Sequence, residues 1–169
     1  MKLMFVDGYN IINSWPNLKT IKDYSLDDAR EKLIDKMHNY SVYVEIKVII
    51  VFDGYKVSGN LERQYNKYSN IVVVFTKDGE TADSYIEREV HNYGRRTEIY
   101  VVTSDNLEQQ TIFQRGANRI SSIELYNDVL AIEAKIRKKT EKNIVIDKNH
   151  LQDNVNEDVL KKLEKIRRS

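Results

Sequence analysis

Asp7, Asp53 and Asp105 each follow an apolar run: Lys2–Val6 leads into Asp7, Ile46–Phe52 into Asp53, and Ile99–Thr103 into Ser104-Asp105. If these runs are neighbouring strands of one parallel sheet, the acids meet at its carboxyl edge, where open α/β sheets hold their ligands. Glu80 and Asp83 of Glu80-Thr81-Ala82-Asp83 add two more carboxylates. Carboxylates packed that closely repel one another, so the cluster calls for a cation. All-oxygen donors suit Mg²⁺ or Mn²⁺. Such an ion activates water for attack on phosphorus, which makes phosphodiester hydrolysis the natural reaction.

Each acid also has an ordinary explanation. Asp53-Gly54 is a turn dipeptide, Ser104 and Asp105 suit a helix cap, and Asp83 suits the positive end of a helix dipole. The joint pattern is more specific, because right-handed crossovers bring the ends of parallel strands to one rim. Asn10 lies near Asp7 and can orient a water or a phosphate, whereas Trp15 reads as a packing residue. The run Arg63-Gln64-Tyr65-Asn66-Lys67-Tyr68 interleaves cations with tyrosines. There Arg63 and Lys67 suit phosphates and Tyr65 or Tyr68 an unpaired base, the usual grip on single-stranded RNA; the alternative is a polar loop.

Other chemistries lack their residues. His38, His91 and His150 are scattered, and the sequence has no Walker loop, no Gly-x-Gly-x-x-Gly and no Gly-x-Ser-x-Gly. Nucleotide-cofactor binding and serine hydrolysis therefore lose their motifs. The absence of cysteine excludes disulfides and thiolate chemistry and fits a reducing compartment.

The elements that must position the acids alternate between strand and helix signals, which predicts an α/β fold with a mainly parallel sheet. The first strand, about 2–6, runs into a loop holding Trp15 and Pro16. Ser25 is the expected cap of a helix whose buried face carries Leu26, Ala29, Leu33, Ile34, Met37 and Tyr40. The runs 46–52, 71–75 and 98–103 are the remaining strands, with 54–70 as a polar stretch. Thr81 should cap a helix to about Tyr93, stopped by Gly94. Ser104 opens a further helix through Phe113, broken near Gly116. Ser121 with Glu124 forms a capping box for a helix to about Lys139. The pattern weakens after Lys142, before a last helix over about 156–168.

With 169 residues and 41% hydrophobic composition, the chain suits one compact domain with a short appendage. Residues 1–134 carry 16 basic and 20 acidic side chains, a balance of −4, and residues 135–169 carry 11 and 6, a balance of +5. A basic tail on an acidic body suits a polyanionic partner, with Lys135, Arg137, Lys138 and Lys139 as its densest stretch; a solvated helix is the plainer alternative. The apolar start, interrupted at Asp7, is too short for a signal peptide or a membrane span, so a soluble cytoplasmic protein is expected, with no membrane partner.

Taken in order, Val6-Asp7-Gly8-Tyr9-Asn10-Ile11-Ile12 with Trp15-Pro16, Val51-Phe52-Asp53, Phe75-Thr76-Lys77 with Glu80-Thr81-Ala82-Asp83, and Val102-Thr103-Ser104-Asp105 with Glu108-Gln109 resemble the YacP-like branch of the NYN domains, within the PIN-like nucleases. The resemblance covers about residues 1–140. It implies a PIN-like three-layer α/β/α fold, with 1–140 as the nuclease domain and 141–169 as a basic helical extension packed on or continuing it. It also implies a metal-dependent endoribonuclease acting on mRNA in association with the translating ribosome. Asp7, Asp83 and Asp105 would be the principal metal-binding carboxylates, with Asp53 and Glu80 in support and Asn10 and Ser104 lining the site. Many relatives carry another acid two residues beyond the Ser-Asp acid; Leu107 stands there, so the number of metals stays open. The rival readings are an RNA- or ribosome-binding module without catalysis and a phosphatase or nucleotide hydrolase, the latter opposed by the lack of an Asp-x-Asp motif after the first strand.

Overall fold

The computed structural model describes residues 1–54, 62–93, 96–103 and 116–168. Its elements are β1 (Lys2–Asp7), α1 (Gly8–Ser14), α2 (Pro16–Tyr24), α3 (Leu26–Val44), β2 (Lys47–Phe52), β3 (Arg63–Tyr68), β4 (Ile71–Phe75), α4 (Ala82–Asn92), β5 (Glu98–Thr103), β6 (Asn118–Ser121) and α5 (Ser122–Arg168). By Cα proximity the chain divides into two compact units, Met1–Leu130 and Ala131–Ser169.

The sheet order is β3-β4-β2-β1-β5-β6. Every pairing is parallel except β3 with β4. β1 therefore sits inside, flanked by β2 and β5, which is why 3–6 and 48–52 are buried without a polar alternate. One face packs Phe5, Ile49, Val51, Val72, Val74, Ile99 and Val101 against Ala82, Tyr85, Ile86 and Val90 of α4. The alternate strand residues Met4, Val6, Val48 and Ile50 are equally buried, and so are Ile11, Ile12, Leu18, Leu33, Ile34 and Met37 of α1–α3.

The expected caps form. The Ser25 hydroxyl accepts from the Asp28 N–H at 3.2 Å, the Thr81 hydroxyl from the Ser84 N–H at 3.1 Å, and the Ser121 hydroxyl from the Glu124 N–H at 3.1 Å. Gly94, the expected stop of α4, lies outside the described residues, and so does the helix expected from Ser104 to Phe113.

Four elements differ from the sequence reading. The expected loop after β1 is the helix pair α1 and α2: Asp7 caps the first, and Pro16 opens the second, where its missing N–H costs nothing. Trp15 between them is buried, and its indole N–H donates to the Ser122 carbonyl at 3.0 Å. The polar run 63–68 is not a loop but the antiparallel edge strand β3, whose one open side tolerates polar and charged residues. Asn118–Ser121 adds an unforeseen parallel strand, too short and polar to stand out by pattern. The two helices expected after residue 121 are one, Ser122–Arg168, because no Gly or Pro interrupts that stretch.

Candidate functional site

β1 and β2 are parallel, with Asp7 opposite Val51, so Asp7 and Asp53 leave the sheet at the same rim. β5 is parallel to β1 on the other side, with Val6 opposite Val102, and carries the chain out at that rim beyond Thr103. Ser104 and Asp105, expected next, lie outside the described residues. α4 begins at Ala82 and packs on the sheet face below, with Asp83 in its first turn.

Asp7 is the hinge of the site. It closes β1 and caps α1, its carboxylate accepting from the Asn10 N–H at 3.3 Å. Burial pushes this carboxyl up to about 6 from the ordinary 3.8; the Asn10 N–H pulls the other way, and the charges of Asp83 and Asp53 add to the rise. The charges of Asp83 and Asp53 thus both reach the Asp7 carboxyl. Asn10 is half-buried next to Asp7.

Glu80 is oriented differently. Only 9% of it is exposed, and its Oε1 accepts from Arg88 Nη1 at 2.7 Å. Its Oε2 is buried with no hydrogen-bond partner, an orphaned hard donor of the kind a cation satisfies. Arg88 also reaches Glu62 at 3.4 Å, which ties α4 to the entry of β3.

Two glycines owe their places to packing. A Cβ on Gly8 would stand 2.3 Å from the Phe52 ring, so the residue after Asp7 is small enough to admit Phe52. A Cβ on Gly54 would stand 1.9 Å from the Thr76 carbonyl oxygen. Thr76, fully buried, joins the two halves of the rim: its hydroxyl accepts from the Gly54 N–H and donates to the Glu80 carbonyl, both at 2.8 Å. From sequence Thr76 and Arg88 have no assigned role, because each joins a nearby partner, Glu80, to a distant one, Gly54 or Glu62, and only the distant half gives the contact its meaning; the one signal is Thr76 directly following the strand 71–75.

The other candidate residues fall elsewhere. Arg63, Tyr65, Lys67 and Tyr68 lie on β3; Lys67 pairs with Glu31 at 3.2 Å and Tyr68 donates to Asp35 at 3.0 Å, so both are engaged with α3. Lys135, Arg137, Lys138 and Lys139 are exposed on α5 within the second unit.

The donor set at the rim is all carboxylate, which fits a hard divalent cation. Among the described residues, no group of three or more Asp, Glu or His side chains is arranged to hold an ion by itself. No helix among them is long and apolar enough to cross a membrane.

Comparison with known proteins agrees with this architecture. The YacP-like NYN domain family matches over residues 4–168. The chain is 42% identical over 168 residues to YacP of Bacillus subtilis (strain 168), covering 99% of this chain and 98% of that protein. The crystal structure of Rae1 (YacP) from Bacillus subtilis superposes with a TM-score of 0.74 at 42% identity, covering 100% of this chain and 96% of that one. A mutant form of the same Bacillus subtilis protein superposes with a TM-score of 0.70 at 40% identity, covering 83% of this chain and 81% of that one. The fold is thus the PIN-like NYN fold expected from the sequence.

Two measurements check this account. Thr76→Val removes both buried hydroxyl bonds and should cost about 2–4 kcal/mol in urea unfolding, with Thr76→Ser restoring most of it; equal stability of the valine variant would deny the tie. Because the Asp7 pKa is raised in the folded state, its stabilising protonation is complete below about pH 4 and lost as pH rises through about 6. Asp7→Asn keeps the cap, so in EDTA it should stabilise the protein by about 2–3 kcal/mol at pH 8 and by nothing at pH 3.5. A pH-independent difference would refute the assignment.

Proposed function

This chain belongs to the YacP-like NYN domain family, which carries a nuclease-like role, and on that premise we propose that it is a metal-dependent endoribonuclease cutting single-stranded RNA. The observation that carries this reading is the rim: Asp7 is mostly buried and repelled by Asp53 and Asp83, a state that makes sense for a protein whose acids share a cation. Asp7, Asp83 and Asp105 are the principal holders in this reading, with Asp53 and Glu80 in support. When bound, Mg²⁺ or Mn²⁺ supplies the Lewis acidity for phosphodiester hydrolysis.

The chain's own residues set the conditions. The Asn10 N–H and the α1 N-terminus fix the Asp7 carboxylate, and the α4 N-terminus favours charge on Asp83. Thr76 keeps the Asp53-Gly54 turn beside the segment that delivers Glu80. In the same reading Asn10 and Ser104 are the site-lining residues. The basic stretch Lys135–Lys139 recruits polyanion: mRNA, in association with the translating ribosome. Exposed Ile144, Val145 and Ile146, adjacent to it in sequence, add an apolar contribution to such a surface.

Asp7→Asn should lower cleavage of a single-stranded RNA at least a hundredfold in Mg²⁺ or Mn²⁺ while leaving RNA affinity within about threefold. Full activity of that variant, or of the wild type in excess EDTA, sinks the mechanism. Binding without any Asp7-dependent product, with and without ribosomes, identifies an inactive RNA-binding module instead. Replacing Lys135, Arg137, Lys138 and Lys139 by Ala should weaken RNA or ribosome binding and reduce the slope of log affinity against log salt by about 2–3. Unchanged binding would mark the stretch as plain helix.

A further inference from the structure

We propose that Phe75, with Arg30, Arg63 and Tyr65 around it, forms a subsite for one unpaired nucleotide on the β3 side of the acids; the inference rests on the RNA reading above. Its basis is a row of register partners across three strands. Phe52 on β2 lies opposite Phe75 on β4, and Phe75 lies opposite Arg63 on β3. These are the last positions of β2 and β4, one residue before Asp53 in the first case.

The rings along this row form a continuous path. Tyr9, two residues beyond Asp7, has its centroid 5.1 Å from Phe52; Phe52 lies 5.4 Å from Phe75 at 26°, and Phe75 lies 6.4 Å from Tyr65 at 19°. The path thus runs from beside the acids to the sheet edge. It becomes accessible toward that edge: Phe52 is fully buried, Phe75 half-buried and Tyr65 40% exposed.

Two guanidinium groups meet at the middle ring. Arg30 Cζ stands 5.8 Å and Arg63 Cζ 5.9 Å from the Phe75 centroid. Arg30 is anchored, donating to the Tyr9 hydroxyl at 3.0 Å and pairing with exposed Asp27. Arg63, exposed, has no carboxylate partner among the described residues. Both cations converge on one half-buried ring beside a second, exposed ring: Arg63 supplies the phosphate-binding fork, and Arg30, held by Asp27 and Tyr9, lines the stacking face. That combination takes a nucleotide whose base is free to stack, and a duplex offers no such face.

The neighbouring half of β3 is engaged in contacts with α3. Lys67 is paired with Glu31, and Tyr68 is bound to Asp35 and stacked on His38 at 3.9 Å. On β3 the subsite is therefore confined to Arg63 and Tyr65, and this distinguishes it from a generally basic strand.

The experiment uses the full-length chain carrying Asp7→Asn, in Mg²⁺, with a single-stranded RNA oligomer containing 2-aminopurine. Arg63→Gln and Phe75→Leu should each weaken binding about tenfold, and Phe75→Leu should also relieve the fluorescence quenching that stacking produces. Lys67→Gln should change affinity less than twofold, and duplex RNA should lose little affinity in any variant. Arg63 is exposed, so its substitution tests the subsite even if Phe75→Leu unfolds the protein, which thermal denaturation reports. RNA binding that is strong in Asp7→Asn and unaltered by Arg63→Gln, or weakened equally by Lys67→Gln, overturns the subsite alone. Absence of RNA binding in the parent chain overturns the RNA reading and the subsite with it.

Discussion

Burial of a carboxylate at the carboxyl rim of a parallel sheet, with the charges of two further acids acting on it, is the constraint around which this protein is organised. Asp7 ends the interior strand β1 between β2 and β5, where water cannot fully solvate it, and Asp53 and Asp83 bring more negative charge to it. Left alone, such a cluster works against folding. The protein answers part of it with backbone dipoles: Asp7 caps α1, and Asp83 sits in the first turn of α4. In the functional reading proposed above a cation would supply the rest, and the instability of the rim would then be the counterpart of binding.

The scaffold holds the rim by contacts that are themselves uncharged. Phe52 packs against Gly8 with no room for a Cβ, locking the end of β2 against the start of α1. Thr76 closes the opposite side, its single hydroxyl linking Gly54 to Glu80. These contacts fix where Asp7, Asp53 and Glu80 emerge without placing further charge among them. Arg88 stands apart, neutralising one oxygen of Glu80 and leaving the other without a partner.

β3 shows how one edge strand divides its work. Lys67 and Tyr68 bind α3 and hold the strand in place, while Arg63 and Tyr65 gather at Phe75. An edge strand can do this because only one of its sides is committed to the sheet. The long helix α5 serves differently, carrying exposed lysines and arginine with an apolar run in the second unit.

Period and punctuation alone identified β1, β2, β4 and β5, the caps at Ser25, Thr81 and Ser121, and the residues Asp7, Asp53 and Asp83 as strand-end or helix-start acids. These features are local: an apolar run, a hydroxyl three residues before an N–H, an acid after the last β-branched residue. What tertiary structure alone decided is non-local. That 63–68 pairs with β4, that 118–121 extends the sheet beyond β5, that Trp15 bonds a carbonyl 107 positions away, and that Arg30 meets Phe75 all depend on distant segments finding each other. Nothing near Thr76 in sequence reveals its bond to Gly54, and nothing near Arg30 its approach to Phe75, because the energy of a hydrogen bond or a ring contact depends on proximity in space and not on spacing along the chain.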